Sequence, residues 1–206
     1  MATIHQATLT PTKLDLLSAW LPGRHWYPAD TVAGLQRVAA CRFDDPAGEV
    51  GVEMFVVRDA DGPLVHVPMT YRGAPLDDGE LTLIGTTEHS VLGTRWVYDA
   101  VGDPVYVEAL TSAIRTGGHE AEELVETDGG PQRRDPSMTV RGTGMAESSK
   151  PIGRIVRVED GDPAVVVATA ARLDVRRVLT AAPADGPLSL VGSWAGRQPM
   201  ILAVLY

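Results

Sequence analysis

The chain has 206 residues, a formal net charge of -9, a pI near 5.0, 44% hydrophobic residues and 22% charged residues. Those proportions belong to folded globular proteins long enough to bury a large core, and they exclude a disordered or fibrous chain. The acidic balance repels phosphate backbones and anionic lipid surfaces, so neither nucleic acid nor a membrane is an expected partner.

The first residues, Met1 to Gln6, lack a basic and then apolar leader, and no run of about 18 apolar residues follows, which predicts a cytoplasmic protein. Cys41 is the one cysteine, so no intramolecular disulfide can form, and no multi-cysteine zinc site either.

The first predicted element is a short amphipathic helix. Leu14, Leu17 and Leu21 recur at helical spacing, Thr10 or Thr12 can cap it, and Pro22 stops it. The aromatic segment Arg24-His25-Trp26-Tyr27 has no period and reads as an ordered loop or extended crossing. Four runs, 34–43, 50–58, 64–72 and 80–88, are separated by clusters of Asp, Gly and Pro and predict a meander of antiparallel strands.

After a short run at 95–98, with Trp96 and Tyr98 read as core, Asp99 or Asp103 can cap a second helix. Pro104 lies in its first turn, Tyr106, Leu110 and Ile114 form its inner face, and Gly117-Gly118 end it. The stretch 120–136 is polar, acidic and rich in Gly and Pro. It predicts a boundary, with a helical turn expected at 121–125. Further strands are expected at 138–142, 152–159, 164–170, 173–179, 188–194 and 200–206. The predicted class is α+β: a domain over 1–130 whose antiparallel sheet is packed by a few helices, then a mostly β module over 131–206.

Few motifs for self-sufficient chemistry survive inspection. Gly142-Thr143-Gly144 through Lys150-Pro151 suggests a phosphate loop, but no Gly directly precedes Lys150 and Pro151 stands where a helix should begin, so a mobile surface loop is the plainer reading. Gly192-Ser193-Trp194-Ala195-Gly196 lacks the context of a nucleophile elbow, and Trp194 reads as core. His5, His25, His66, His89 and His119 never pair at metal-ligand spacing, so neither a metal nor a cofactor is expected. Arg172, Arg176 and Arg177 read as solvated.

Two clusters remain as candidate binding residues. Glu88, His89, Arg95, Asp99 and Asp103 form the densest polar stretch and could hold a hydroxylated or phosphorylated ligand, with Arg95 as a bidentate donor. In the plainer alternative Asp99 and Asp103 are turn and cap residues and Arg95 pairs with Glu88. Arg24, His25, Trp26 and Tyr27 offer rings that either stack on a sugar or fill a core.

Taken in order, Trp20-Leu21-Pro22-Gly23-Arg24-His25-Trp26-Tyr27, Val67-Pro68-Met69-Thr70-Tyr71-Arg72, Ile84-Gly85-Thr86-Thr87-Glu88-His89-Ser90-Val91-Leu92-Gly93 and Arg95-Trp96-Val97-Tyr98-Asp99-Ala100 with Asp103-Pro104 resemble the N-terminal cap of maltokinase-type sugar kinases. The likeness runs over roughly residues 10–115. It implies a cystatin-like cap of sheet plus helix, which in that family precedes a kinase core. Such a core needs a catalytic-loop Asp and Asn, a metal-binding Asp and a strand Lys. This sequence has no asparagine and only Lys13 and Lys150.

The expectation is therefore a free-standing, cap-like, non-catalytic accessory or regulatory protein linked to glucan, maltose or trehalose metabolism. Its expected partner is a carbohydrate-active enzyme or a kinase. A binder of sugar or sugar phosphate is the alternative, and an enzyme using His89 with Asp99 or Asp103 as acid and base is a third reading.

Overall fold

The structure is a computed structural model, and it describes residues 2–4, 7–127, 130–180 and 188–206. His5 lies outside the described residues. Two α-helices and many short strands make the described chain mostly β, with helices fewer than the α+β expectation implies. No described helix is long and apolar enough to cross a membrane.

Strand β1 (Ala2–Ile4) is followed by β2 (Leu9–Thr10) and helix α1 (Lys13–Trp20). A capping box starts α1: the Thr12 hydroxyl accepts from Asp15 N–H (3.2 Å) while the Asp15 carboxylate accepts from Thr12 N–H (3.0 Å). A 3₁₀ turn over Leu21–Gly23, with Pro22 inside it, ends the helix.

Strands β3 (Leu35–Phe43), β4 (Gly51–Asp59), β5 (Leu64–Arg72), β6 (Leu83–His89) and β7 (Gly93–Asp99) then form the predicted antiparallel meander. Helix α2 (Pro104–Thr116) follows, capped by Asp103, which accepts from Val105 N–H at 3.0 Å, and closed by Gly117 at φ 68.

Where a helical turn is expected at 121–125 the chain instead enters a hairpin, β8 (Glu123–Thr127) and β9 (Gly130–Arg134), with β1 pairing parallel to β8. Polar composition hid these strands, because Leu124 and Val125 are adjacent apolar residues and too few to reveal a period of two. Strands β10 (Thr139–Gly142), β11 (Ile155–Glu159), β12 (Ala164–Ala168), β13 (Ala171–Val175), β14 (Val178–Leu179), β15 (Ser189–Ser193) and β16 (Met200–Leu205) complete the chain.

Two larger sheets result. The first runs β2-β6-β7-β5-β4-β3, with β14 added beside the start of β5, and the second runs β10-β15-β16-β13-β12-β11. Strand β4 is buried on both faces, so its apolar run is nearly continuous. Val52, Met54 and Val56 point into a core shared with α2 and the second sheet, while Phe55 and Val57 point to a smaller core under α1, Trp26 and Tyr27. The principal core thus joins residues from both sides of position 130.

The glycine-rich segment read as a mobile loop has a packing role. A Cβ on Gly142 would fall 1.9 Å from the Ala113 carbonyl oxygen, and one on Gly144 2.1 Å from that of Arg115. Gly144 and Ala146 donate their N–H groups to the Ile114 and Arg115 carbonyls (2.8 and 3.0 Å), which satisfies acceptors that the end of α2 leaves open.

Candidate functional site

The α1 capping box, the beginning of β4 and the β6–β7 hairpin meet at one end of the first sheet. They enclose a cleft of about 640 Å³ whose lining includes Lys13, Arg42, Glu53, Tyr71, His89 and Arg95. Two of the predicted residues, His89 and Arg95, are therefore brought together.

Glu53 is the electrostatic centre of this cleft. It is buried, its carboxylate lies 2.5 Å from Lys13 Nζ, and it also accepts from Arg42 Nη2. Burial pushes the Glu53 carboxyl upward, yet the two cations overcome it and hold the group at about 2. Burial in turn lowers Lys13, against the pull of Glu53. The Lys13 ammonium sits 4.5 Å from the Tyr71 ring centroid and 5.7 Å from that of Phe55.

Arg95 donates through Nη2 to the Leu92 carbonyl (2.8 Å), and its buried Nε has no partner. Its Nη1 would lie 2.5 Å from a Cβ at position 73, so Gly73 makes room for the guanidinium. His89 Nδ1 accepts from the N–H groups of Val91 and Leu92 (3.2 and 3.1 Å), holding the hairpin turn. Glu88 accepts from the Thr94 hydroxyl at 2.7 Å, so it serves its own hairpin instead of pairing with Arg95.

The other members of the predicted polar cluster lie elsewhere. Strand β7 carries Asp99 six residues beyond Gly93, the partner of His89, which is about 20 Å at ~3.3 Å per residue. His89 therefore cannot share an acid–base reaction with Asp99. Asp103 is buried and receives both Arg72 Nε and Nη2 at 2.7 Å besides capping α2.

Asp99 is buried against Arg177, whose Nη2 donates to Asp99 Oδ2 at 2.5 Å. Burial raises the Asp99 carboxyl against the lowering effect of Arg177. Arg177 itself is 0% exposed, which corrects its reading as a solvated residue. Its guanidinium lies 4.9 Å from the Trp26 ring, and its backbone carbonyl accepts from His66 N–H. It pins strand β5, Trp26 and the second sheet together.

The aromatic segment joins the same junction. Trp26 Nε1 donates to Asp160 Oδ1 (2.6 Å), Arg24 Nη1 lies 3.6 Å from Asp160 Oδ2, and the Arg24 guanidinium covers the Trp20 ring at 5.1 Å. Trp20 and Trp26 meet edge to face at 5.9 Å. Tyr27 is buried beside them and only His25 projects into solvent. Trp26 and Tyr27 belong to the smaller core between the first sheet and α1. Trp96, expected in a core, is half-buried and belongs to neither apolar cluster, whereas Tyr98, two residues on and on the same face of β7, is buried.

Residues 20–103 match the family model of the maltokinase N-terminal cap domain. Over this segment the chain is similar to maltokinase N-terminal cap domains. The match covers less than half of the chain, and no curated protein matches it. Of the cleft, the cap supplies Arg42, Glu53, Tyr71, His89 and Arg95, while Lys13 precedes it. Of the buried junction, the cap supplies Trp26, His66 and Asp99, while Arg177 and Asp160 come from beyond it.

Lys13, Arg42, Glu53, Tyr71 and Arg177 escaped the reading of the sequence. Glu53 did leave a signal, a lone charge inside an apolar strand run, where a charge needs a partner; Arg177, directly after Arg176, left none. Among the described residues no group of three or more His, Cys, Asp or Glu is placed to hold a metal.

Proposed function

We propose that the chain is a non-catalytic accessory or regulatory protein that acts in the cytoplasm on a separate enzyme or kinase of glucan, maltose or trehalose metabolism. The observation that carries this reading is a maltokinase cap over residues 20–103 within a sequence that has no asparagine for a kinase catalytic loop. Lys13, one of its two lysines, is committed to Glu53, and the acids Asp99 and Asp103 are committed to Arg177 and Arg72.

The test is photo-crosslinking of the full chain in native lysate with mass-spectrometric identification of what is joined to it. The expected product is an enzyme acting on these sugars whose kcat or KM changes when the purified chain is added. Recovery of no carbohydrate enzyme refutes the reading, as does metal-dependent phosphorylation of maltose by the chain itself.

The cleft favours a second reading, a sugar binder. Donors on Lys13, Arg42 and Arg95 face the acceptors of Asp44 and Glu53 around Tyr71, the mixed arrangement that hydroxyl groups require. Its lining carries three cations against four carboxylates, so a neutral sugar suits it better than a sugar phosphate. Calorimetric titration with maltose, trehalose and their phosphates tests this. Heat from the neutral sugars, reduced in Arg95→Ala, is expected, and silence across all four removes the reading.

A further inference from the structure

We infer that the groove along the outer face of α2 is a docking site for a basic amphipathic helix of a partner protein. This deepens the accessory reading, on which it rests for the partner being a protein. Helix α2 turns Tyr106, Leu110 and Ile114 into the principal core. Its outer side, with Ser112 half-buried and with Val105 and Ala109 half-buried where they also pack against the edge of that core, faces the β3–β4 turn at Pro46 and Ala47 across an open groove of about 1040 Å³.

The rim of this groove is predominantly acidic, although His119 also lines it and Glu122 is paired with Arg133 (3.3 Å). Asp44, Asp45, Glu108, Glu120 and Glu122 line it, with no lysine or arginine among the lining residues. Three of these carboxylates are held in place by backbone donors. Asp45 accepts from Ala47, Glu49 and Val50 (3.0, 3.0 and 2.9 Å), Glu108 from Ile152 (3.3 Å) and Glu120 from Val140 (2.8 Å). Partial burial raises the Asp45 carboxyl, but the three N–H groups overcome it and keep the carboxyl below its ordinary value. The groove therefore presents fixed negative charge around an apolar floor.

Charge and length both select the occupant. A net charge of -9 draws in a cationic partner from a distance, and the rim then favours Lys or Arg flanking an apolar stripe. The lining runs from Pro104 to Thr116 along α2, about 20 Å at ~1.5 Å per residue. That exceeds a single metabolite and equals three to four turns of a second helix laid alongside, the helix-in-groove mode of recognition.

The test is titration of the isotopically labelled full chain with a 16-residue helical peptide carrying leucines on one face and lysines flanking them. A matched peptide with every lysine replaced by glutamate serves as the control. Expected are resonance shifts at Ala47, Ala109, Ser112 and Glu120, affinity that weakens with added salt, and at least tenfold weaker binding of the acidic peptide.

Ala109→Arg, which both fills the floor and reverses the local charge, should lose at least tenfold in affinity while melting with the parent. If that variant does not fold, Glu122→Lys at the exposed rim should weaken the basic peptide several-fold. Shifts centred elsewhere, equal binding of the two peptides, or unchanged binding by the folded variants overturns the docking site. A groove indifferent to the peptide, alongside an enzyme still captured through another face, refutes this inference and leaves the accessory reading standing. Peptide binding with no carbohydrate enzyme captured does the reverse.

Discussion

Replacing Arg177 with methionine should cost about 3–5 kcal/mol at pH 7, the usual penalty for removing one partner of a buried ion pair. The guanidinium is fully buried, lies 4.9 Å from the Trp26 ring and donates to Asp99 Oδ2 at 2.5 Å. Methionine keeps much of the apolar packing, so the loss is dominated by the stranded Asp99 carboxylate. Burial already raises that carboxyl and Asp160 raises it further, while Arg177, and to a lesser extent a backbone bond from Val101, lower it.

Without Arg177 the folded state binds a proton at Asp99 more readily than the unfolded chain does. A raised folded pKa means that stability is recovered as pH falls through it. The excess cost of the variant over the parent should therefore shrink between pH 7 and pH 5, by up to about 1.4 kcal/mol per pH unit. Adding Asp99→Asn to Arg177→Met removes the stranded charge, so the double variant should regain stability and lose the pH dependence. Urea unfolding followed by circular dichroism at the two pH values measures all of this. A single variant within about 1 kcal/mol of the parent, or with the same deficit at both pH values, would show that the pair is solvated and the reasoning wrong.

Trp26→Ala should destabilise by about 3–5 kcal/mol, whereas Trp96→Ala, on a half-buried ring, should cost less than half of that; equal shifts in unfolding midpoint would contradict the assignment. Burial holds His66 down at about 4 while its Nδ1 donates to the Arg176 carbonyl (3.0 Å). Because the unfolded imidazole takes up its proton first, stability should be full above about pH 6.5 and fall by about 3 kcal/mol as pH drops to 4. Denaturation midpoints across that window should decline in the parent and flatten in His66→Phe. Asp103→Ala removes both the α2 cap and the Arg72 pair and should cost about 2–4 kcal/mol. Thermal unfolding checks it, and a shift no larger than a surface substitution gives would deny the residue its structural role.

Where a segment's own residues decide its conformation, the sequence was legible. Thr12 with Asp15, Pro22, Asp103-Pro104 and Gly117 mark the limits of α1 and α2 through bonds made within a turn. The runs at 34–43, 50–58 and 64–72 coincide with β3, β4 and β5 to within a residue, since apolar strands bounded by Asp-Gly-Pro turns admit few other solutions. The cap was legible too, because its residues lie in order along one continuous stretch. Strands β8 and β9 were not, since their pairing satisfies the backbone without an apolar signal.

The destinations of the charged groups were decided by tertiary structure alone. Whether Asp99 caps a turn or meets Arg177 depends on a contact across 78 positions, and the Lys13–Glu53 pair spans 40. No local pattern encodes such a meeting, because a carboxylate's partner is whichever cation the packed strands bring within 3 Å. The composition nonetheless required that some partner exist, since a charge buried alone costs several kcal/mol more than the chain can lose. Sequence determined which elements form and that charges inside apolar strands must be paired; only the folded packing of two sheets and α2 decided with whom, and so separated the Arg95 cleft from the Arg177 junction.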